Sequence, residues 1–172
     1  MDIITMSQDA ISFQQLYSQY AKDVYRFSYW LSGDVAEAKD ITSEVFVRVW
    51  TATSEIRNES VKAYLFAIAR NQHLQNKRKK RKISSIDEKM RDASLQPDTA
   101  AEIRSDLEIT MKALHTLPEI DRAVLIMRAQ DELSCEEISR ATGLSIATVK
   151  VKFFRTRAKL NSFIPQKREC SA

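Results

Sequence analysis

Seven positive charges and no acid fall within RNQHLQNKRKKRK, residues 70–82. Such a block is suited to holding a polyanion by its phosphates, although basic runs also occur as solvated arms. A second stretch, LSCEEISRATGLSIATVKVKFFRTRAKL, ends in Lys150, Lys152, Arg155, Arg157 and Lys159 with no acid after Gly143. A third pattern has the opposite sign: Glu37, Asp40 and Glu44 recur at steps of three and four, with Arg48 next. That spacing sets them on one face of a helix, which by itself describes an ordinary solvated surface. Catalytic chemistry has no comparable signal. The two glycines make no phosphate-cradling loop, Cys135 and Cys170 lack CxxC spacing, and His73 and His115 stand near neither. Neither an enzyme nor a bound metal or cofactor is expected.

The elements that must carry these charges are helices. Phe13, Leu16, Tyr17, Tyr20, Val24, Phe27 and Leu31 mark one apolar face, and Gly33 stops it. Asp34 and Glu37 read as a capping box for a second helix with Ala38, Ile41, Val45 and Val49 inward. Residues 51–60 read as a polar loop; Ser60 then caps a third helix with Val61, Tyr64, Leu65 and Ile68 inward, running into the basic block. Residues 83–100 lose periodicity and are read as an acidic linker. Beyond it, Ile103, Leu107, Met111 and Leu114 line a helix, and Pro118 suits the first position of the next, with Val124, Leu125 and Met127 apolar.

Ser134 and Glu137 pair as a capping box, Gly143 permits a left-handed turn, and Ser145 caps a final helix with Ile146, Val149, Phe153 and Leu160 toward the core. A short helix, a glycine turn and a basic second helix make a helix-turn-helix, whose second helix enters the major groove. The expected fold class is all-α: a helical bundle over 10–82, a linker over 83–100 and a helix-turn-helix domain over 101–163. The longest unbroken apolar run, Tyr64 to Ala69, is far too short for a membrane span, so a cytoplasmic chain without membrane insertion is expected.

The blocks LYSQYAKDVYRF, GDVAEAKDITSEVFVRVW and AYLFAIARN resemble region 2 of the bacterial extracytoplasmic-function sigma factors. LPEIDRAVLIMR and the helix-turn-helix stretch resemble region 4 of that group, so the likeness covers about residues 13–82 and 104–162. It implies an alternative sigma factor that binds core RNA polymerase through its β′ and β subunits, recognises −35 and −10 promoter elements and promotes DNA opening. It implies an anti-sigma partner as well. On this resemblance Asp40, Glu44, Phe46 and Arg48 meet the polymerase. Arg57 and Asn58, in the loop that captures a flipped base, and Arg70, Asn71, Lys77 and Arg78 meet the −10 region. Ser145, Thr148, Lys150, Val151, Lys152 and Arg155 read the −35 element. The chain departs from the family pattern in having Tyr64 where Trp is common, and Val151 and Phe154 where small or polar residues are frequent. The alternative is a free-standing helix-turn-helix regulator, which would bind a palindromic site without polymerase.

Overall fold

The computed structural model of the chain describes residues 3–4, 11–52, 60–84 and 101–163. Two short strands, β1 (Ile3–Ile4) and β2 (Ile11–Ser12), pair antiparallel with Ile3 opposite Ser12. All other regular structure among the described residues is helical.

The first half holds α1 (Phe13–Ser32), α2 (Val35–Thr51) and α3 (Val61–Ser84). Leu16, Val24, Phe27 and Leu31 recur along one face of α1 and are fully buried, as a 3.6-residue period demands of an amphipathic helix. Gly33 ends the helix at φ 75°, and its N–H donates to the Tyr29 carbonyl at 2.8 Å. A Cβ at this position would also lie 2.9 Å from Nε2 of His115, so the imidazole would have to shift to admit it. Asp34 caps α2 by accepting from the Glu37 N–H at 2.7 Å. The reciprocal half of the expected capping box is not made, because the Glu37 carboxylate turns instead to His73 and Lys80 of α3. Ala38, Ile41, Val45 and Val49 face inward from α2 as their spacing requires. From α3 the buried set is Ala63, Leu65, Phe66, Ala69 and His73, while Val61, Tyr64 and Ile68 are only half-buried. The rings of Phe27 and Phe66 stack at the centre of this bundle, 4.4 Å apart and inclined by 7°.

The second half holds α4 (Ala101–His115), α5 (Glu119–Ala129), α6 (Cys135–Thr142) and α7 (Ile146–Phe163). Pro118 is the residue before α5, not its first helical position; its carbonyl accepts from Asp121 and Arg122 and so still opens the helix. Ala123 to Met127 are all buried, so α5 is the central element of this half. The Ser134–Glu137 capping box is complete, and Gly143 closes α6 in the left-handed region at φ 75°. Ser145 caps α7 by accepting from the Thr148 N–H.

Three expectations shift. α3 runs on to Ser84, past the expected start of the linker, because neither a glycine nor a proline interrupts it. Leu107 and Ile146, expected in the core, are 39% and 38% exposed; among its described residues α4 is buried only toward its end, at Ala113 and Leu114, and Ile146 is the first residue of α7. The rest of the expected linker, residues 85–100, lies outside the described residues.

The two halves meet. α1 packs on α5 and α3 on α6, and Trp30 of α1 rests against Leu114, Leu117 and Leu125.

Candidate nucleic-acid and polymerase interfaces

The polar end of α3 continues beyond the packed bundle. Lys77, Arg78, Lys79, Lys80, Arg81 and Lys82 are all exposed there, and cations at a helix C-terminus are favoured by the macrodipole. Not all of this charge points the same way. Lys80 Nζ donates to Glu37 at 2.6 Å, and His73 Nδ1 lies 2.8 Å from the other Glu37 oxygen. Burial alone would raise the Glu37 carboxyl, but hydrogen bonds from Lys80 and His73 outweigh it and hold the group below its ordinary range. The His73 imidazole is lowered by burial, with Glu37 only partly opposing. Asn71 is exposed. Arg70 is not free: its Nε and one terminal nitrogen each donate to Glu119 of α5 at 2.8 Å. Arg57 and Asn58 lie outside the described residues.

On α7 the helical period sorts inward from outward positions. Val149 and Thr156 are buried, while Lys150, Val151 and Arg155 are exposed on the opposite side. Ser145 and Thr148 are joined through their hydroxyls at 2.7 Å across the helix start. Lys152 lies to one flank and donates to Asp121 of α5 at 2.6 Å, so it is held to its own domain. Phe154, with 76% of its surface exposed, stands on the outer side between Val151 and Arg155. Helix-turn-helix proteins place this side and the helix start against base edges. An apolar side chain there has a thymine methyl as its natural partner.

The four α2 positions expected to meet polymerase do not share one surface. Asp40 is exposed and Glu44 lies one turn on, where Arg48 Nε donates to it at 2.9 Å. Arg48 also donates to Gln72 of α3 at 2.7 Å, so it fixes α2 to α3. Phe46 is turned the other way: it is 3% exposed, and its ring meets Tyr17 of α1 edge-on at 4.8 Å. It forms part of an open groove of 830 Å³ between α1 and α2. Tyr17 of α1 is 49% exposed there, and the large apolar residues that α2 exposes at the groove are Val47 and Trp50, at 56% and 53%. Sequence reasoning passed over them, although both fall off the 38/41/45/49 stripe and so had to face elsewhere.

Glu119, Asp121, Arg122 and Asp131 were also missed. The first two are first-turn acids of α5, and their partners Arg70 and Lys152 are distant in sequence. No group of three or more potential metal ligands occurs among the described residues. Cys135 is a free, half-buried thiol at the start of α6. No helix among the described residues is long and apolar enough to cross a membrane.

A helical bundle with a basic helix end, joined to a helix-turn-helix with a basic outer face, defines a DNA-binding transcription protein. Comparison with known proteins narrows this class. Residues 16–83 match the model of sigma-70 region 2, and residues 107–160 match that of sigma-70 region 4. The ECF RNA polymerase sigma factor SigX of Bacillus subtilis is 31% identical over 149 residues, spanning 81% of this chain and 76% of SigX. SigM of the same organism is 28% identical over 157 residues, 88% of this chain and 94% of SigM. SigE of Mycolicibacterium smegmatis is 28% identical over 158 residues; the match takes in 89% of this chain and 62% of SigE. The chain belongs to the extracytoplasmic-function (ECF) group of the sigma-70 family. It is an alternative sigma factor, which acts with core RNA polymerase at promoter DNA to initiate transcription.

Two solved structures share the fold. The sigma factor RpoE of Bartonella quintana, crystallised with the anti-sigma factor NepR, superposes with a TM-score of 0.78 at 24% identity, covering 91% of this chain and 98% of RpoE. CnrH, in complex with the cytosolic domain of CnrY, gives 0.66 at 22% identity, covering 87% of this chain and 85% of CnrH.

Proposed function

We propose that the exposed face of α2 around Asp40 and Glu44, extended by Val47 and Trp50, docks on core polymerase. In the same reading Lys77, Arg78 and Asn71 at the end of α3, with Arg57 and Asn58, contact the −10 region. Arg70 joins them when it is released from Glu119. The outer face of α7, through Ser145, Thr148, Lys150, Val151 and Arg155, reads the −35 element. Phe154 extends that face, and Lys152 reaches a phosphate from its flank. Residues 10–82 and 101–163 are the two working domains, and 83–100 tether them.

The observation that carries this reading is the sorting of α7. Lys150, Val151, Phe154 and Arg155 are left exposed while Val149 and Thr156 are buried, so the fold makes no use of the outward set. Phosphate contacts from the α3 end would supply affinity without sequence information, and α7 would supply the sequence. Opening of the duplex needs no catalysis by this chain, since capture of an extruded base offsets unstacking. The protein acts in the cytoplasm, where polymerase and promoter are. By likeness to RpoE, solved in complex with the anti-sigma factor NepR, an anti-sigma factor holds it inactive.

Reconstituted transcription tests the reading, using bacterial core polymerase, the full chain and a promoter library. Start sites that need both proteins are expected, with loss of at least tenfold in D40A/E44A and of sequence preference, not merely yield, in K150A/R155A. Start sites that survive both sets of changes would remove α2 and α7 from their proposed roles. Tight binding to a palindrome by the chain alone, with no core binding, would favour the free-standing regulator.

A further inference from the structure

We infer that Asp121 is a positioning residue for DNA recognition: by holding Lys152 it fixes the roll of α7 and so decides which side chains meet the −35 bases. This rests on the reading of α7 as the helix that enters the DNA. Lys152 Nζ donates to Asp121 Oδ1 at 2.6 Å, with side-chain exposures of 29% and 22%. Asp121 is in the first turn of α5, where the helix dipole favours a carboxylate. Its backbone N–H donates to the Pro118 carbonyl at 3.1 Å, and the residues that follow it, Arg122 to Met127, are buried. The acid therefore sits on a fixed element, and Lys152 is brought to it.

The rest of α7 needs such a tie. Its buried residues, Val149 and Thr156, stand about two turns apart and so lie along one line of the helix. A helix seated along one line rolls about it unless its flanks are held. One flank is apolar: Phe153 and Leu160 pack on Leu114, Leu117 and Leu125. Apolar contact is non-directional and lets the helix slip. The opposite flank carries Lys152, three residues after Val149 and four before Thr156, and its contact with Asp121 has a fixed direction. Thr148 and Arg155, read as DNA contacts, lie on that flank at steps of four and three from Lys152. Val151 and Phe154 follow round the exposed side. A roll of about 20° carries a side-chain tip about 2 Å round the axis, enough to break a hydrogen bond to a base edge. The N–H groups left on Nζ still serve a phosphate, so Lys152 carries both the tie and the contact.

The test uses the full chain and reads two quantities. One is the enrichment of bases from a library randomised at the −35 element, selected by holoenzyme reconstituted with bacterial core polymerase. The other is the affinity of the full chain for a fluorescein-labelled duplex of random sequence, by anisotropy at fixed salt, with the helix content of each variant checked by circular dichroism. D121N should lower discrimination against single-base changes about fivefold, the scale of one base contact, while affinity for the random duplex stays within about twofold. The exchanged pair D121K/K152D rebuilds the tie but reverses the charge that α7 presents to DNA. Its enrichment should return, while affinity for the random duplex falls about fivefold. K152M keeps the stem of the lysine and loses the tie from the other end; its enrichment should broaden as well, and it stands in if D121N does not fold. Unchanged enrichment in D121N and K152M overturns the inference. Discrimination lost in D121N and not regained in the exchanged pair means that Asp121 acts otherwise than through Lys152, and overturns it too. A fall in random-duplex affinity in D121N as large as the loss of discrimination marks general damage to the domain, with the same consequence. If K150A/R155A leaves the enrichment unaltered, the reading of α7 beneath the inference fails, whatever D121N does.

Discussion

At the centre of the first half, the Phe27 and Phe66 rings lie stacked among Leu16, Val24, Leu31, Ile41, Val45 and Leu65, none of which shows any surface to solvent. Where the two halves meet, the apolar core is continuous, since Val124, Met127, Leu133 and Ile138 belong to the same buried cluster as the residues of α1 to α3, but it is accompanied there by Arg70–Glu119 and by the Arg26–Asp131–Lys62 group. The two regions share apolar burial, and the seam adds charged contacts to it. Apolar burial is non-directional and accumulates with area. Charged contacts away from water must recover a desolvation cost through geometry, and their net contribution is small unless every polar atom is satisfied. In the pair that crosses the seam, Arg26 Nε and Asp131 Oδ2 are buried without a hydrogen-bond partner. The two halves therefore share one apolar core, to which the seam adds charged contacts whose worth depends on their geometry.

The largest test of this contrast is F66A, which removes a fully buried ring from the first core. It should cost about 3–5 kcal/mol in urea-induced unfolding. At the seam, G33A should cost about 2 kcal/mol, since φ 75° strains any side chain and the new Cβ would meet the His115 ring. G143A is its control: the same φ with nothing within 4 Å of the added Cβ, so strain alone remains and the loss should be smaller. Equal losses at the two glycines would mean that the His115 ring yields freely and the seam is soft at that point. D131A should cost less again, about 1–2 kcal/mol, because Asp23 remains to partner Arg26 and Lys62. If D131A proved as damaging as F66A, seam and core would be energetically alike and the contrast would fall.

The same contrast explains what the sequence made legible. Local rules sufficed for Gly33, the Asp34 cap, the Ser134–Glu137 box, Gly143 and the 38/41/45/49 stripe, because each acts within four residues of its partner. The exposed positions Lys150, Val151 and Arg155 followed from the period of α7. The site was less legible where partners are remote. Arg70 and Glu119 are 49 residues apart, and Arg26 and Asp131 are 105 apart. Neither period nor spacing encodes a contact that depends on how two halves close. Phe46 shows the same limit at shorter range: its sequence position is compatible with the polymerase-facing stretch, but α1 supplies Tyr17 and turns that side of α2 inward.

The smallest expected effect concerns the proton at the seam. His115 keeps an exposed edge, yet its pKa is pushed down to about 4, first by loss of water where its ring lies against α1 and then by the charges of Arg122, His73 and Lys77. A hydrogen bond with the Trp30 backbone only partly opposes them. Between the ordinary value of 6.5 and about 4 the unfolded chain therefore binds more protons at this site than the folded one. Stability due to His115 is complete above pH 6.5 and declines as the pH falls through that window. His73, also lowered, acts in the same sense. Asp131 is raised by burial and acts in the opposite sense above its ordinary 3.8, while Glu37, lowered, matters only below 4.5. Comparing H115N with the unaltered chain isolates one of these groups. Thermal melts from pH 7 to pH 5 should fall less steeply in H115N. The difference should be at most about 1 kcal/mol, since solvent screens the exposed edge of the ring. Parallel slopes would show that His115 is uncharged or solvated alike in both states, and that the positive cluster at the seam consists of Arg122, His73 and Lys77 alone.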